Sequence, residues 1–597
     1  MHTKWKRTIF DNHILFEVDL SNSKDPQPKQ ARRALRRLPF FIIMEPTQNQ
    51  KEDSMRKIFL GILALTLLSA LSWARVGDVL KTLPTPGPCP TGLAFDGKNL
   101  WLTDIFTDKI YKINPRDGKV LKSFDSPGSH PEGLAWDGEY LWHIDSGERS
   151  MYRLDPETGR ALTILESNSG NPRDLAWDGE YVWIIDYRQD ILLKVSAEDG
   201  MMVQYFSSPA LEPAGLTFDG KYLWVTDRSE DRIYLVNPAD GLCLSSFRSY
   251  GPFAYGLAWG DDVLWNVDYE NDEIYKVEVF SDDIFTRWDE RQMSLQFIKE
   301  FRNYGPGVVN TLDIYLPMPE SRDNQTLLEP VQFDPEPDEV ILDSWGQKIA
   351  HFHFKDLKSL AVVKPGWKVK AKIYAVEYFI YPDKVGSLDD IPEDIKKKYT
   401  QDGDKYRIND PFIQDLARKI AGNQTNPYWI VLRIYDYLGK NLSYNLKPLG
   451  GWNPAPTVLK RGTASCSEYS YSMIALCRAL GVPIRYVGAV SRRGDDASFD
   501  DVFHRWTEVY LPPYGWIPFD ANKGDVDLPG RKVLGIGNVA ARYIITTENG
   551  GGDKYLWFGY NYGFKWTSLG QCRVHEESYG MWSPLGEKKY NTPIKDK

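Results

Sequence analysis

The residues best suited to chemistry lie in the last third of the chain. Cys466 stands where a loop gives way to an apolar stripe of helical spacing, Met473, Ile474, Leu476, Cys477 and Leu480, which closes at Gly481-Val482-Pro483. A thiol in the first turn of a buried helix meets unpaired backbone N–H groups and the positive end of the helix dipole, and both favour the attacking thiolate. Past residue 354 the sequence holds two histidines, His504 and His575. His504 opens the alternating run His504-Arg505-Trp506-Thr507-Glu508-Val509-Tyr510, Pro512-Pro513-Tyr514-Gly515 turns it, and Trp516-Ile517-Pro518-Phe519-Asp520 returns. In an antiparallel hairpin His504 and Asp520 fall nearly opposite each other, so the carboxylate can fix the tautomer of the ring. Nucleophile, base and orienting group thus follow in the order Cys466, His504, Asp520. Such a set supports thiolate attack on an amide carbonyl, loss of amine, and a thioester that passes to water or to a second amine. The Cys466 N–H is the natural first donor to the oxyanion, and either Tyr444 or Trp452 could be the second.

The elements that must position these groups are also readable. Phe412, Ile413, Leu416, Ala417 and Ile420 recur at helical spacing and end near Gly422-Asn423, and a second apolar helix runs from Tyr428 to Leu438. After the Cys466 helix comes a strand from Ile484 to Val490 and a polar loop over 491–501. Cys477 is read as a core residue.

The segment 457–522 resembles the transglutaminase-like superfamily. The matching pieces are Cys466-Ser467-Glu468-Tyr469, Arg478-Ala479-Leu480-Gly481-Val482-Pro483-Ile484-Arg485, His504-Arg505-Trp506-Thr507-Glu508-Val509-Tyr510 and Gly515-Trp516-Ile517-Pro518-Phe519-Asp520. Family members often have Gly two residues before the Cys; Ala464 stands there in this chain. The resemblance implies an α+β, papain-like domain over 400–597 with Cys466, His504 and Asp520 as its catalytic residues. It implies action on protein or peptide amides, with a cysteine peptidase or amidase favoured over a protein-glutamine gamma-glutamyltransferase. A secreted propeller binding protein with a quiet site is the non-enzymatic alternative. No EF-hand loop is visible, so neither a metal nor any other cofactor is expected.

A repeat precedes this region. Trp101, Trp142, Trp183, Trp224 and Trp265 stand 41 residues apart, each closing a phrase such as GLAFDGKNLW or GLAWDGEYLW, and each is followed three residues later by Asp104, Asp145, Asp186, Asp227 or Asp268. Asp-Gly pairs between apolar runs mark hairpin turns, and four short strands per unit of this length are propeller blades. The fifth repeat lacks its last strand, and Gly77-Asp78-Val79-Leu80-Lys81, 41 residues before Gly118-Lys119-Val120-Leu121-Lys122, supplies it. A five-bladed all-β propeller over 75–280 follows. The Trp are read as blade packing and the Asp as turn caps. The repeats resemble the propellers of glutaminyl cyclotransferases and lactonase-like proteins, which implies fold and not activity; a protein or glycan ligand is the expected partner.

Between the two, 290–385 alternates as strands and fits a β-sandwich. His351 and His353 flank one Phe there without acidic or Cys partners nearby in sequence, and a structural role is expected. Met55-Arg56-Lys57, an apolar run over 58–71 and Ser72-Trp73-Ala74 have the anatomy of an export signal over 55–74. The upstream 1–54 reads as a non-native or disordered extension, and an uncleaved membrane anchor is the alternative. Either way the folded part is expected to be secreted, periplasmic or otherwise extracytoplasmic. The five cysteines show neither paired nor zinc spacing. A net charge of −10 without a basic stripe argues against nucleic acid as partner.

Overall fold

A computed structural model describes residues 5–10, 13–18, 74–447, 451–494 and 497–586. The chain divides into units 1–72 and 73–597. In the first, Trp5–Phe10 pairs antiparallel with His13–Val18. The expected export signal lies outside the described residues except for Ala74. Among the described residues no helix is long and apolar enough to cross a membrane.

Five four-stranded antiparallel sheets open the second unit. The first holds Pro90–Phe95, Leu100–Asp104, Lys109–Ile113 and Val120–Asp125. Its counterparts follow the 41-residue period, and the innermost strands Pro90–Phe95, Pro131–Trp136, Pro172–Trp177, Pro213–Phe218 and Ala254–Gly260 touch in a closed circle. The fifth sheet takes its outer strand from the start of the unit: Val79–Pro84 pairs with Glu273–Val277, with Thr82 opposite Tyr275. The ring is therefore a propeller of five blades, closed by the strand that the repeat frame assigns.

The repeated side chains hold each blade by hydrogen bonds. In four blades the buried indole N–H donates to the Asp of the Asp-Gly turn: Trp101 to Asp96, Trp142 to Asp137, Trp183 to Asp178 and Trp224 to Asp219, at 2.8–3.0 Å. The Asp three residues past each Trp ties two loops together. Asp104, for example, accepts from the Cys89 N–H (2.8 Å) with one oxygen and from the Thr107 N–H (2.8 Å) with the other. Asp145, Asp186, Asp227 and Asp268 bond backbone N–H groups in the same way. These carboxylates cap turns, as their spacing suggests.

The middle of the chain is built of strands, as its alternation suggests, but their pairing is not confined to 290–385. Ten strands are joined around Phe285–Pro317. The early part of that strand pairs with Gly366–Tyr378 and its late part with Lys348–Leu357. On its other side lies Gly563–Pro584, from the far end of the region assigned to 400–597, running from Met293↔Pro584 to Tyr315↔Gly563. Register shifts between Asn303 and Thr311 bulge the strand, and such bulges bend it so that one strand can serve two sets of partners. The expected boundary between middle and C-terminal domains is thus crossed by paired strands.

The remaining region is α over β. A four-stranded antiparallel sheet runs in the order Gly515–Phe519, His504–Leu511, Ile484–Ser491, Tyr543–Asn549. Cys466–Ala479 packs on its His504–Leu511 and Ile484–Ser491 strands, and Pro411–Ala421, Pro427–Asn441 and Ala455–Arg461 pack around that helix. Local chemistry sets the helix starts: Asp410 and Asn426 accept from the Phe412 and Tyr428 N–H groups, each at 2.9 Å.

Candidate active site

Cys466 is the first residue of its helix. Glu468 reaches back to accept from the Ser465 N–H (3.1 Å), is paired with Arg461 (2.8 Å) and also holds the Asn453 N–H (2.9 Å), so the loop entering the helix is pinned. The helix is buried from Cys466 to Arg478, which fixes the thiol in depth as well as direction. Cys477 is fully buried and its thiol is pushed up by burial, so it is the core residue expected.

His504 begins the strand that the helix crosses, and its Nε2 lies 2.8 Å from Asp520 Oδ2. The hairpin differs slightly from the sequence reading. Its register runs from Leu511↔Gly515 to Thr507↔Phe519, so one step further Asp520 stands opposite Trp506 and diagonal to His504. A diagonal neighbour on the same face is still within reach of an imidazole. With Nε2 committed to Asp520, Nδ1 is the ring nitrogen left for the Cys466 sulfur.

The electrostatics agree with that arrangement. Burial would raise the Cys466 thiol, but its hydrogen bond to His504, that ring's charge and the charge of Arg505 together bring it below the ordinary thiol value. Burial would likewise depress His504, yet the Asp520 carboxylate, with smaller contributions from Tyr543 and Cys466, holds the ring well above the ordinary imidazole value. Asp520 stays below the ordinary carboxylate value because His504 and then Lys523 outweigh its burial. Thiolate beside imidazolium is the state these groups favour together.

Several contributors escaped the sequence reading. The Tyr543 ring stacks on His504 (5.7 Å between centroids, 24° between planes) and shields the imidazole. The guanidinium of Arg505 is fully buried and donates to Tyr471 Oη (2.6 Å) and the Phe558 carbonyl (2.8 Å), among the rings of Tyr560, Tyr486 and Trp452. Beside a thiolate it is a fixed positive charge that water cannot screen. The HxW alternation gave no sign that Arg505 would be buried, because the aromatics around it come from distant segments. Of the two suggested oxyanion donors, Trp452 is stacked on Tyr560 (5.8 Å) within this cage. Tyr444 lies close enough to Cys466 for the sulfur, after burial, to raise its hydroxyl's pKa. A cavity of about 220 Å³ lined by Arg322, Arg485, Glu548 and Trp345 is not part of the site. Its charged walls are already paired with Glu508 and with one another.

The transglutaminase-like superfamily matches residues 414–521. A Bacillus subtilis protein, the uncharacterized YebA, is 27% identical over 170 residues, covering 24% of this chain and 23% of its own length. An uncharacterized Haemophilus influenzae protein is 24% identical over 188 residues, covering 28% of this chain and 49% of its own. The chain thus spans less than half of either relative. Among solved structures, a proposed cysteine protease from Cytophaga hutchinsonii aligns over 51% of this chain and 94% of its own at 16% identity and a TM-score of 0.36. A Myxococcus xanthus glutaminyl cyclase aligns over 34% of this chain and 97% of its own at 13% identity and a TM-score of 0.32. At residues 414–521, then, the chain carries a domain of the transglutaminase-like superfamily.

Proposed function

We propose that this protein is a thiol-dependent amide hydrolase of proteins or peptides, a cysteine peptidase or amidase, working outside the cytoplasm after export directed by residues 55–74. The observation that carries the reading is the 2.8 Å pairing of His504 with Asp520 beside the Cys466 thiol, a setting that lowers the thiol and raises the imidazole although these side chains are largely buried. In this reading the Cys466 thiolate attacks the amide carbon, and the resulting oxyanion faces the Cys466 N–H and the Tyr444 hydroxyl. The His504 imidazolium gives its proton to the departing amine, leaving a thioester. The neutral ring then takes a proton from the water that attacks the thioester, and release of the acid restores the thiolate. Asp520 keeps the ring oriented and stabilises its charged form. The propeller serves as a rigidly attached binding platform for a protein or glycan ligand.

Alkylation separates chemistry from mere exposure. Cys89 and Cys572 are partly exposed, whereas Cys466 is only 7% exposed. Iodoacetamide at low stoichiometry should nevertheless modify Cys466 first, and His504→Ala should remove that preference. Modification of Cys89 and Cys572 ahead of Cys466 would overturn the reading. To separate hydrolysis from transfer, casein is incubated with the enzyme and a fluorescent amine. Cleavage or deamidation without label is expected; incorporation of the amine without hydrolysis would assign the chain to glutamine crosslinking instead.

A further inference from the structure

We propose that Asp313, His351 and His353 form a binding site for a borderline first-row divalent cation, Zn²⁺ foremost, with Glu339 as an outer partner. In sequence the two histidines stand without acidic neighbours, and the sheet overturns that expectation. Asp313 on the long strand is the cross-strand partner of His353, and His351 is two residues away on the same face of the same strand. Glu339, on the next strand outward, is the partner of His351. Strand pairing alone therefore gathers two imidazoles and two carboxylates that sequence distance keeps apart.

The geometry is that of a converging donor set. One ligand atom from each of Asp313, His351 and His353 lies within 4.8 Å of the others. His351 Nε2 and His353 Nδ1 are each 2.8 Å from the same oxygen, Asp313 Oδ1. These side chains are 15–29% exposed, sheltered on the sheet yet open to an entering ion. On the far side of the first ring, His351 Nδ1 lies 3.1 Å from Glu339 Oε1. A carboxylate behind a histidine fixes the tautomer whose other nitrogen offers a lone pair, as in carboxylate–histidine–zinc arrangements. That tautomer turns Nε2 toward Asp313 Oδ1 as a second acceptor. A cation placed between the two would accept from both.

The donor types select the ion. Two imidazoles and one carboxylate suit Zn²⁺ and its neighbours, whereas Ca²⁺ and Mg²⁺ prefer all-oxygen sets. Metal–donor lengths of about 2.0–2.2 Å require donors roughly 3.3 Å apart, so the Asp313 carboxylate would retreat about 0.5 Å while the two imidazole nitrogens, within 4.8 Å of each other, settle to the same spacing. Water completes a tetrahedron. Lys565, opposite Asp313 on the neighbouring strand, adds a positive charge that limits affinity. The bound ion would clamp Phe285–Pro317 to Lys348–Leu357.

The test uses the full chain, stripped with chelator and carrying Cys466→Ala so that the thiolate does not compete. Calorimetric titration with Zn²⁺ should show one equivalent bound, Ca²⁺ and Mg²⁺ should show none, and Co²⁺ should give the visible absorption of a tetrahedral site. Asp313→Asn and His353→Gln, checked as folded by circular dichroism, should abolish both signals. Glu339→Gln keeps all three ligands, so it should retain the stoichiometry and weaken Zn²⁺ by about 10- to 100-fold. Absence of stoichiometric uptake, or uptake unchanged in these variants, would overturn the proposal and leave a hydrogen-bonded His-Asp-His cluster.

Discussion

A buried thiol is ordinarily inert, because burial penalises its anion. Cys466 escapes that outcome only while His504 is charged, and His504 stays charged only while Asp520 is ionised. Two predictions follow from the chain of dependence. The rate of peptide amide turnover should trace a bell against pH. It rises as pH passes the lowered thiol value and falls as pH passes the raised imidazole value, where the ring has no proton left to give the departing amine. A profile rising only toward the ordinary thiol value would contradict the pairing. Asp520→Asn removes the charge that holds the ring protonated and in register. It should cut turnover of a peptide amide by about 100- to 10,000-fold and narrow the bell from its alkaline side. At this scale the sequence was informative for which side chains meet, Cys466, His504 and Asp520, since scarce histidines and a turn-centred hairpin leave few choices. It was silent on Tyr543, whose ring reaches His504 by stacking across the sheet.

Each element is defined by what its repeated or alternating residues bond, and departures from the pattern mark contacts made elsewhere. The fifth blade carries Gly260 where the other four carry the Asp that accepts from the blade Trp, and the Trp265 Nε1 is left buried without a partner. A Cβ at Gly260 would sit 2.1 Å from a ring carbon of Phe95 in the first blade, so the closing seam of the propeller excludes the consensus residue. Gly260→Asp should therefore lower stability by about 1–3 kcal/mol in urea denaturation, although it restores the repeat. The strand beginning at His504 shows the same logic. Arg505 donates to Tyr471 Oη on the Cys466 helix and to the Phe558 carbonyl, and Arg505→Met would leave only the bond from the Tyr471 hydroxyl to that carbonyl (3.0 Å). A loss of about 1–3 kcal/mol is expected from denaturation, together with a rise in the Cys466 thiol pKa read by alkylation. The blades and helices could be read from the sequence because their signals repeat within a few tens of residues. The ten-stranded sheet could not, since nothing local in Met293 or Pro584 announces that they are partners.

The way the propeller joins the rest of the molecule depends on one blade that breaks the pattern of its siblings. The outer strands Val120–Asp125, Ala161–Glu166 and Met202–Ser207 are largely exposed, whereas Cys243–Arg248 of the fourth blade is buried along nearly all its length. Where the other blades place Lys or Arg eleven residues after the Trp, the fourth has Leu235, and Tyr381 supplies the hydroxyl that Asp219 accepts from at 3.0 Å. Phe379 stacks on Trp224 (5.7 Å), Tyr428 bonds the Leu244 carbonyl, and Arg232 pairs with Glu377 (2.9 Å) with side chains 7% and 6% exposed. An apolar seam sealed by a buried ion pair should couple the propeller to the transglutaminase-like region, so that calorimetry shows one cooperative unfolding transition for both. Arg232→Ala leaves Glu377 buried and uncompensated, at a cost of about 3–5 kcal/mol. The transition should then split, with the two parts melting separately. Lys221 pairs with Asp383 at the exposed rim of the same seam, and Lys221→Ala should change stability by no more than about 1 kcal/mol and leave a single transition. If both variants behave alike, the seam is not what makes the two halves one body.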